Sequence, residues 1–402
     1  MNLSRLAEAF GRLYGGASPT HLVRAPGRVN LIGEHIDYAG LSVLPMALQR
    51  EIRLALRPRP DATVRVANLS AAFSPRTFLV APEIEPFPPG DWGNYLKAAA
   101  AGLAARYGEL RGFDAVVDSD LPVAAGLSSS AALVVATGLG LLVANGVDDP
   151  NRIDLMGLLA RAERYVGTQG GGMDQAICLG ARRGTATRIA FEPLRLTPLP
   201  IPPDWRFVVA HSLVPAAKSG AAREAYNGRR RECQWALEVM VAHFGAAGRM
   251  TYADLLARRS TAELVAAGNA TLQPPLAARF RHVVTEAQRV GVAAAALIVD
   301  GVAAFGSAMN ESHRSLRDDY EVSGPELDRL AELALAAGAA GARLTGAGFG
   351  GSIVALATET NVQSVIEGLG EFYQERKMPG TIAGHVFVAE ASEAASATTF
   401  DS

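Results

Sequence analysis

The chain has 402 residues, 49% of them apolar, with 38 Lys and Arg against 40 Asp and Glu. That length exceeds one ordinary core and predicts two globular domains. The near-neutral balance argues against nucleic acid or a membrane surface as a partner, since the one basic run, Arg229-Arg230-Arg231, is flanked by Glu224 and Glu232. Cys178 and Cys233, without metal-ligand spacing, fit a reducing cytoplasm rather than a disulfide framework or a zinc site.

Leu3, Leu6, Phe10 and Leu13 recur at helical spacing between Arg5, Glu8 and Arg12, which predicts an amphipathic surface helix rather than a signal peptide. Val29, Leu31 and Ile32 suit a buried strand. Strands are predicted over 51–56, 63–67, 113–117 and 185–189, and helices over 95–107, 128–145 and 154–165. The longest apolar stretch, Ala131 to Ala144, is shorter than the roughly 20 residues of a membrane span and reads as a buried core helix. Pro193, Pro198, Pro200, Pro202 and Pro203 favour extended chain and mark a boundary, giving domains 1–200 and 201–402. The second half opens with a strand at 207–210, continues mostly helical and Ala-rich through Ala340, and ends in strands at 352–357 and 384–388.

Four motifs carry chemistry. Between Gly27 and Tyr38 lie Arg28, Glu34, His35 and Asp37, a cation, two carboxylates and an imidazole at a predicted strand end, a set suited to holding a polyol. In Leu121 to Ala132 a small-residue loop runs into an apolar helix through Gly126, Ser128, Ser129 and Ser130. Serines there are ordinary caps or the rim of an anion site, where backbone amides and a helix N-terminus meet a phosphate. Gly167 to Gln175 is a glycine loop ending in Asp174, either a helix cap or a carboxylate close to a small substrate. Gly346 to Gly351 satisfies a dinucleotide pattern, but a helix-rich stretch ending near Arg343 is expected before it and a strand after, the reverse of a Rossmann unit. No Walker A sequence is present.

Together these motifs, with SHRSLRDDYEVSGPELD from Ser312 and RLTGAGFGG from Arg343, resemble the GHMP small-molecule kinases, in their galactokinase and N-acetylgalactosamine kinase branch. The resemblance implies an α+β fold of two domains with the active site in the cleft between them. It implies phosphorylation of a sugar's anomeric hydroxyl by ATP with Mg²⁺. By the same resemblance Asp174 is the general base and Arg28 the cation beside it. Glu34, His35, Asp37, Gly171 and Tyr226 hold the sugar; Gly126 and Ser128 to Ser130 hold the phosphates; Trp92 and Tyr95 flank the adenine; Ser130 and Glu163 hold Mg²⁺. For Trp92, plain core packing stays open. Ala124 and Ala125 depart from the glycines usual in galactokinases.

Galactose is the expected substrate, with N-acetylgalactosamine as the alternative. Ile36, Ser42 and GTQGGGMDQ look like the N-acetylgalactosamine branch, whereas Tyr226 before three arginines looks like galactokinases. Some relatives are non-catalytic sugar- and ATP-sensing regulators that lack two residues after the serine run, but Ser130-Ala131-Ala132 is intact here. A monomer or weak homo-oligomer is expected.

Overall fold

The computed structural model describes residues 3–216, 220–245, 250–378 and 382–400. In chain order its first part comprises α1 (Leu3–Leu13), β1 (His21–Ile32), β2 (Leu44–Pro58), β3 (Thr63–Asn68), β4 (Arg76–Leu79), α2 (Gly93–Tyr107), β5 (Phe113–Ser119), α3 (Ser129–Ala144), α4 (Arg152–Ala162) and α5 (Met173–Gly180). Then come β6 (Thr185–Phe191), β7 (Leu194–Pro200), β8 (Trp205–His211), α6 (Gly220–His243), α7 (Tyr252–Arg258), α8 (Thr261–Thr271), α9 (Pro274–Ile298) and α10 (Val302–Asp318). The chain closes with α11 (Pro325–Ala336), β9 (Gly341–Thr345), β10 (Ser352–Thr358), α12 (Val362–Glu375), β11 (Val386–Ala389) and β12 (Ser396–Thr399). The architecture is α+β, as expected.

Two main sheets organise it: a six-stranded one in the order β12-β1-β2-β5-β3-β4, and an antiparallel four-stranded one in the order β11-β8-β10-β9. Against the first sheet lies α3, buried at every residue from Ala131 to Ala144 because it is sandwiched between β1 and β2 on one side and α2 on the other. Its mid-helix glycines permit that fit: a Cβ on Gly140 would fall 2.9 Å from a Leu56 methyl. Truncating the fully buried Leu141 to alanine should cost about 2–5 kcal/mol, the usual range for a core leucine.

Strand β1 carries the sugar motif's first half. Its pairing with β2 shifts register between Pro26 and Arg28, and the intervening Gly27 has no room for a side chain, since a Cβ would lie 2.7 Å from the Leu127 carbonyl oxygen. Such a bulge re-aims the next side chain, and Arg28 follows it directly.

The proline-rich segment is extended, as expected: Leu194–Pro200 pairs with β6 in a two-stranded ribbon. Prolines fit there because an edge strand has amides with no ladder to serve. The residues around Arg343 are strand, not helix; α11 ends at Ala336, and β9 then pairs antiparallel with β10, so the glycines close a hairpin. Alanine-rich neighbours hide a five-residue strand whose stability comes from pairing. Finally, β12 was not foreseen: the last strand pairs with β1, His21 opposite Thr399, so the first sheet takes its edge from the end of the chain.

Candidate active site

The loops that leave β1, precede α3, precede α5 and join β9 to β10 converge. Gly126 and Gly346 meet backbone to backbone, where a Cβ on Gly346 would lie 2.7 Å from the Gly126 carbonyl oxygen. Ala216 donates its N–H to the Ala124 carbonyl at 2.7 Å, and Ser352 Oγ donates to the Ala125 carbonyl at 2.8 Å. Two adjoining cavities open around these loops. One is lined by Glu34, His35, Asp37, Glu163, Asp174 and Tyr226, the other by Trp92, Tyr95, Gly126 and Ser128 to Ser130; Arg28 borders both.

At the border, Arg28 Nε donates to Asp174 Oδ1 at 2.7 Å, and Nη1 donates to the Gly126 carbonyl at 2.6 Å. The guanidinium is thereby fixed between the glycine loop's carboxylate and the serine loop's backbone. Asp174 is the second residue of α5, while the N-cap is Gly172 in the left-handed region at φ 105. The carboxylate therefore does not serve as the cap, and it is turned to Arg28.

The serine loop departs from plain capping too. Ser128 holds the N-cap position of α3 at φ 58, makes no side-chain cap bond, and its Oγ is buried without a partner among the described residues. An unsatisfied buried hydroxyl beside a helix N-terminus suits an anionic ligand. Ala124 stands at φ 52, in the conformation that glycine adopts without strain. Trp92 is half-buried, donates its indole N–H to the Ser74 carbonyl at 2.9 Å and meets Phe73 edge-on at 5.8 Å. Phe73 also lines this cavity and was missed from the sequence, because it sits in a turn with no periodicity to mark it.

In the other cavity, Asp37 accepts the Gly171 N–H at 3.0 Å through Oδ2 and the Tyr38 N–H at 2.9 Å through Oδ1. Burial, then the nearby charge of Asp174, pushes its carboxyl above the ordinary range. Glu34 is 2% exposed and accepts from Asn30 Nδ2, from the Gly346 N–H and, at 3.1 Å, from Arg343 Nη1. Burial raises its carboxyl, while Arg343 and then Arg28 oppose that push. With donors on both oxygens, the carboxylate is the form the site satisfies.

His35 differs from expectation. Its Nε2 lies 3.0 Å from the Ala347 carbonyl, which can only accept, so Nε2 carries the proton and Nδ1 accepts from the Tyr38 hydroxyl at 3.0 Å. Both nitrogens are thus used within the protein, although the residue lines the cavity. Burial lowers its pKa to about 3, so the ring is neutral. Tyr38 in turn accepts from Tyr320 at 2.6 Å. Tyr226, on α6, packs its ring against His35 at 5.3 Å between centroids. Arg223, one turn earlier on α6, also lines the cavity and donates to the Val166 carbonyl at 3.2 Å. Its i, i+3 spacing from Tyr226 was the available signal.

Ser130 lines the second cavity and Glu163 the first, and Glu163 accepts from Gln175 Nε2. A carboxylate–arginine pair between two adjoining cavities, one of them walled by a serine loop at a helix N-terminus, fits a small-molecule phosphotransferase.

Comparison with known proteins agrees. Residues 8–58 match the galactokinase galactose-binding signature, residues 94–181 the GHMP kinases N terminal domain and residues 293–375 the GHMP kinases C terminal domain. The chain is 42% identical over 371 residues to a galactokinase of Chloroflexus aggregans, covering 90% of each, and 38% identical over 379 residues to a galactokinase of Bos taurus, covering 92% of each. Among solved structures it is similar to Lactococcus lactis galactokinase complexed with galactose, with a TM-score of 0.87, 31% identity and coverage of 98% and 99%. The Methanococcus jannaschii mevalonate kinase, 16% identical with a TM-score of 0.59, shares the fold. The chain belongs to the galactokinase family of the GHMP kinases. It is a kinase, and ATP is its phosphoryl donor.

Proposed function

We propose that the protein transfers the γ-phosphoryl group of ATP to the anomeric hydroxyl of galactose, giving galactose 1-phosphate and ADP. The observation that carries this is the Arg28–Asp174 pair at the border of the two cavities. Galactose would occupy the cavity of Glu34, Asp37, Gly171 and Tyr226, with His35 in its wall, and ATP the cavity of Trp92, Tyr95, Gly126 and the serines. Asp174 takes the proton of the anomeric O–H as that oxygen bonds to the γ-phosphorus. The bond from phosphorus to the β–γ bridging oxygen breaks, and its electron pair leaves with ADP. Arg28 keeps Asp174 ionised and offsets charge on the phosphoryl oxygens.

Mg²⁺, when present, would be held by the Ser130 hydroxyl and the Glu163 carboxylate, hard oxygen donors suited to it. When bound it supplies charge neutralisation for the phosphates. We also propose a division near residue 200, with β12 returning to the first sheet, a cytoplasmic location, and a monomer or weak homo-oligomer. No described helix is long and apolar enough to cross a membrane.

The test is ADP release with ATP, with and without Mg²⁺, on galactose, N-acetylgalactosamine, glucose and arabinose. Turnover of galactose above the others is expected. A preference for N-acetylgalactosamine would move the assignment to that sugar, and silence on all four would move it to another sugar acceptor.

A further inference from the structure

The Glu34 carboxylate is held at the cavity rim by the Gly346 N–H and, from deeper in the molecule, by Asn30 and Arg343. Arg343, fully buried on β9, donates to Glu34 Oε2 and to the Asn30 carbonyl from Nη1, both at 3.1 Å, and to Ser312 Oγ from Nε at 3.2 Å. Its Nη2 lies 3.7 Å from Glu286 Oε1 and has no hydrogen-bond partner among the described residues. Glu286, fully buried on α9, accepts from Ser312 Oγ at 2.7 Å, from the Gly33 N–H at 2.9 Å and from Arg289 Nε at 2.8 Å.

Charge therefore alternates Glu34, Arg343, Glu286, Arg289 from the cavity wall inward and out again towards the 11% exposed Arg289. The two carboxylates also exchange backbone amides between distant parts of the chain. Glu286 takes the N–H of Gly33, just before Glu34, and Glu34 takes the N–H of Gly346, just after β9.

We infer that Arg343, backed by Glu286, is a positioning residue for sugar binding that holds Glu34 as a fixed carboxylate turned to the substrate hydroxyls. This rests on the reading of the first cavity as the galactose site. A buried carboxylate without a counter-charge neutralises, and a neutral acid loses acceptor capacity. Arg343 supplies that charge from β9, behind the cavity wall that Glu34 lines. A guanidinium alone in this interior would be as costly as a lone carboxylate, and Glu286 balances it. The ionisable groups facing Glu34 are Arg28 on β1, His35 beside it, Arg343 on β9, and His282 and Glu286 on α9; His282 Nε2 donates to the Glu34 carbonyl at 3.1 Å.

The experiment compares wild type, Arg343→Lys and the double variant Arg343→Met/Glu286→Gln, which removes one charge of each sign so that Glu286 is not left facing a missing Arg343. For each, KM for galactose and for ATP, kcat/KM against pH, galactose binding by calorimetry and Tm are measured. The double variant should raise galactose KM about ten-fold or more with ATP KM within about two-fold. Its acid limb in kcat/KM for galactose should move to higher pH as Glu34 protonates. Arg343→Lys, which keeps the charge and loses the fork, should restore the pH profile while keeping part of the rise in KM. If the double variant does not fold, Arg343→Lys decides alone through the same split between the two KM values.

Unchanged galactose KM, or equal losses for both substrates with an unmoved pH profile, would overturn the inference. Wild type that neither binds nor phosphorylates galactose would overturn the underlying site reading, and this inference with it.

Discussion

Arg28 and Asp174 are 146 residues apart in the chain and 2.7 Å apart in space, at the border of the two cavities. Neither is strongly exposed, with side chains 5% and 15% accessible. Asp174→Asn keeps the shape and removes the proton acceptor. Turnover should fall about 10²- to 10⁴-fold while galactose binding, followed by calorimetry, stays measurable. Near-normal turnover would take Asp174 out of the proton transfer.

Gly171 and Gly170 are neighbours with opposite tolerance. A Cβ on Gly171 would lie 2.3 Å from the Asp37 carbonyl carbon and 2.4 Å from the Tyr38 nitrogen, whereas one on Gly170 meets nothing within 4 Å. Gly171→Ala must displace Asp37, so galactose KM should rise at least about ten-fold. Gly170→Ala should stay within about two-fold of wild type with galactose. Steady-state kinetics on the two variants tests the contrast.

On the nucleotide side, Trp92→Ala should raise ATP KM by about five- to ten-fold and leave galactose KM unmoved, the scale expected for losing one aromatic face. Ser128→Ala removes a hydroxyl with no hydrogen-bond partner among the described residues, so Tm should hold while ATP affinity drops. A fall in Tm without a change in ATP KM would mark both residues as packing only.

Acid should destabilise the fold through two histidines. Burial depresses the His35 ring to about 3 and the His282 ring to about 4 from 6.5. The unfolded chain therefore binds more protons below 6.5, so stability is full above that pH and is lost as pH falls. At pH 5 each contributes a loss of about 2 kcal/mol. Urea titrations at pH 7 and pH 5 should show this drop, and His282→Gln should remove about half of it. An identical drop in that variant would mean His282 is not the proton-binding group.

What the sequence determined was local. Gly27 to Tyr38, Leu121 to Ala132 and Gly167 to Gln175 each put polar side chains beside turn residues within a dozen positions, and turn chemistry and hydrophobic period act over that range. The buried helix after the serines and most strands of the first half were legible for the same reason. The tertiary structure alone decided that Arg343 lies on a strand, that β12 completes the first sheet, that both His35 nitrogens are taken up by Tyr38 and Ala347, and that Glu34 is backed by Arg343. Glu34 and Arg343 are 309 residues apart. Such partners are selected by burial and pairing across the whole fold, where a charge must find its opposite or be neutralised, and no local pattern in the chain encodes that choice.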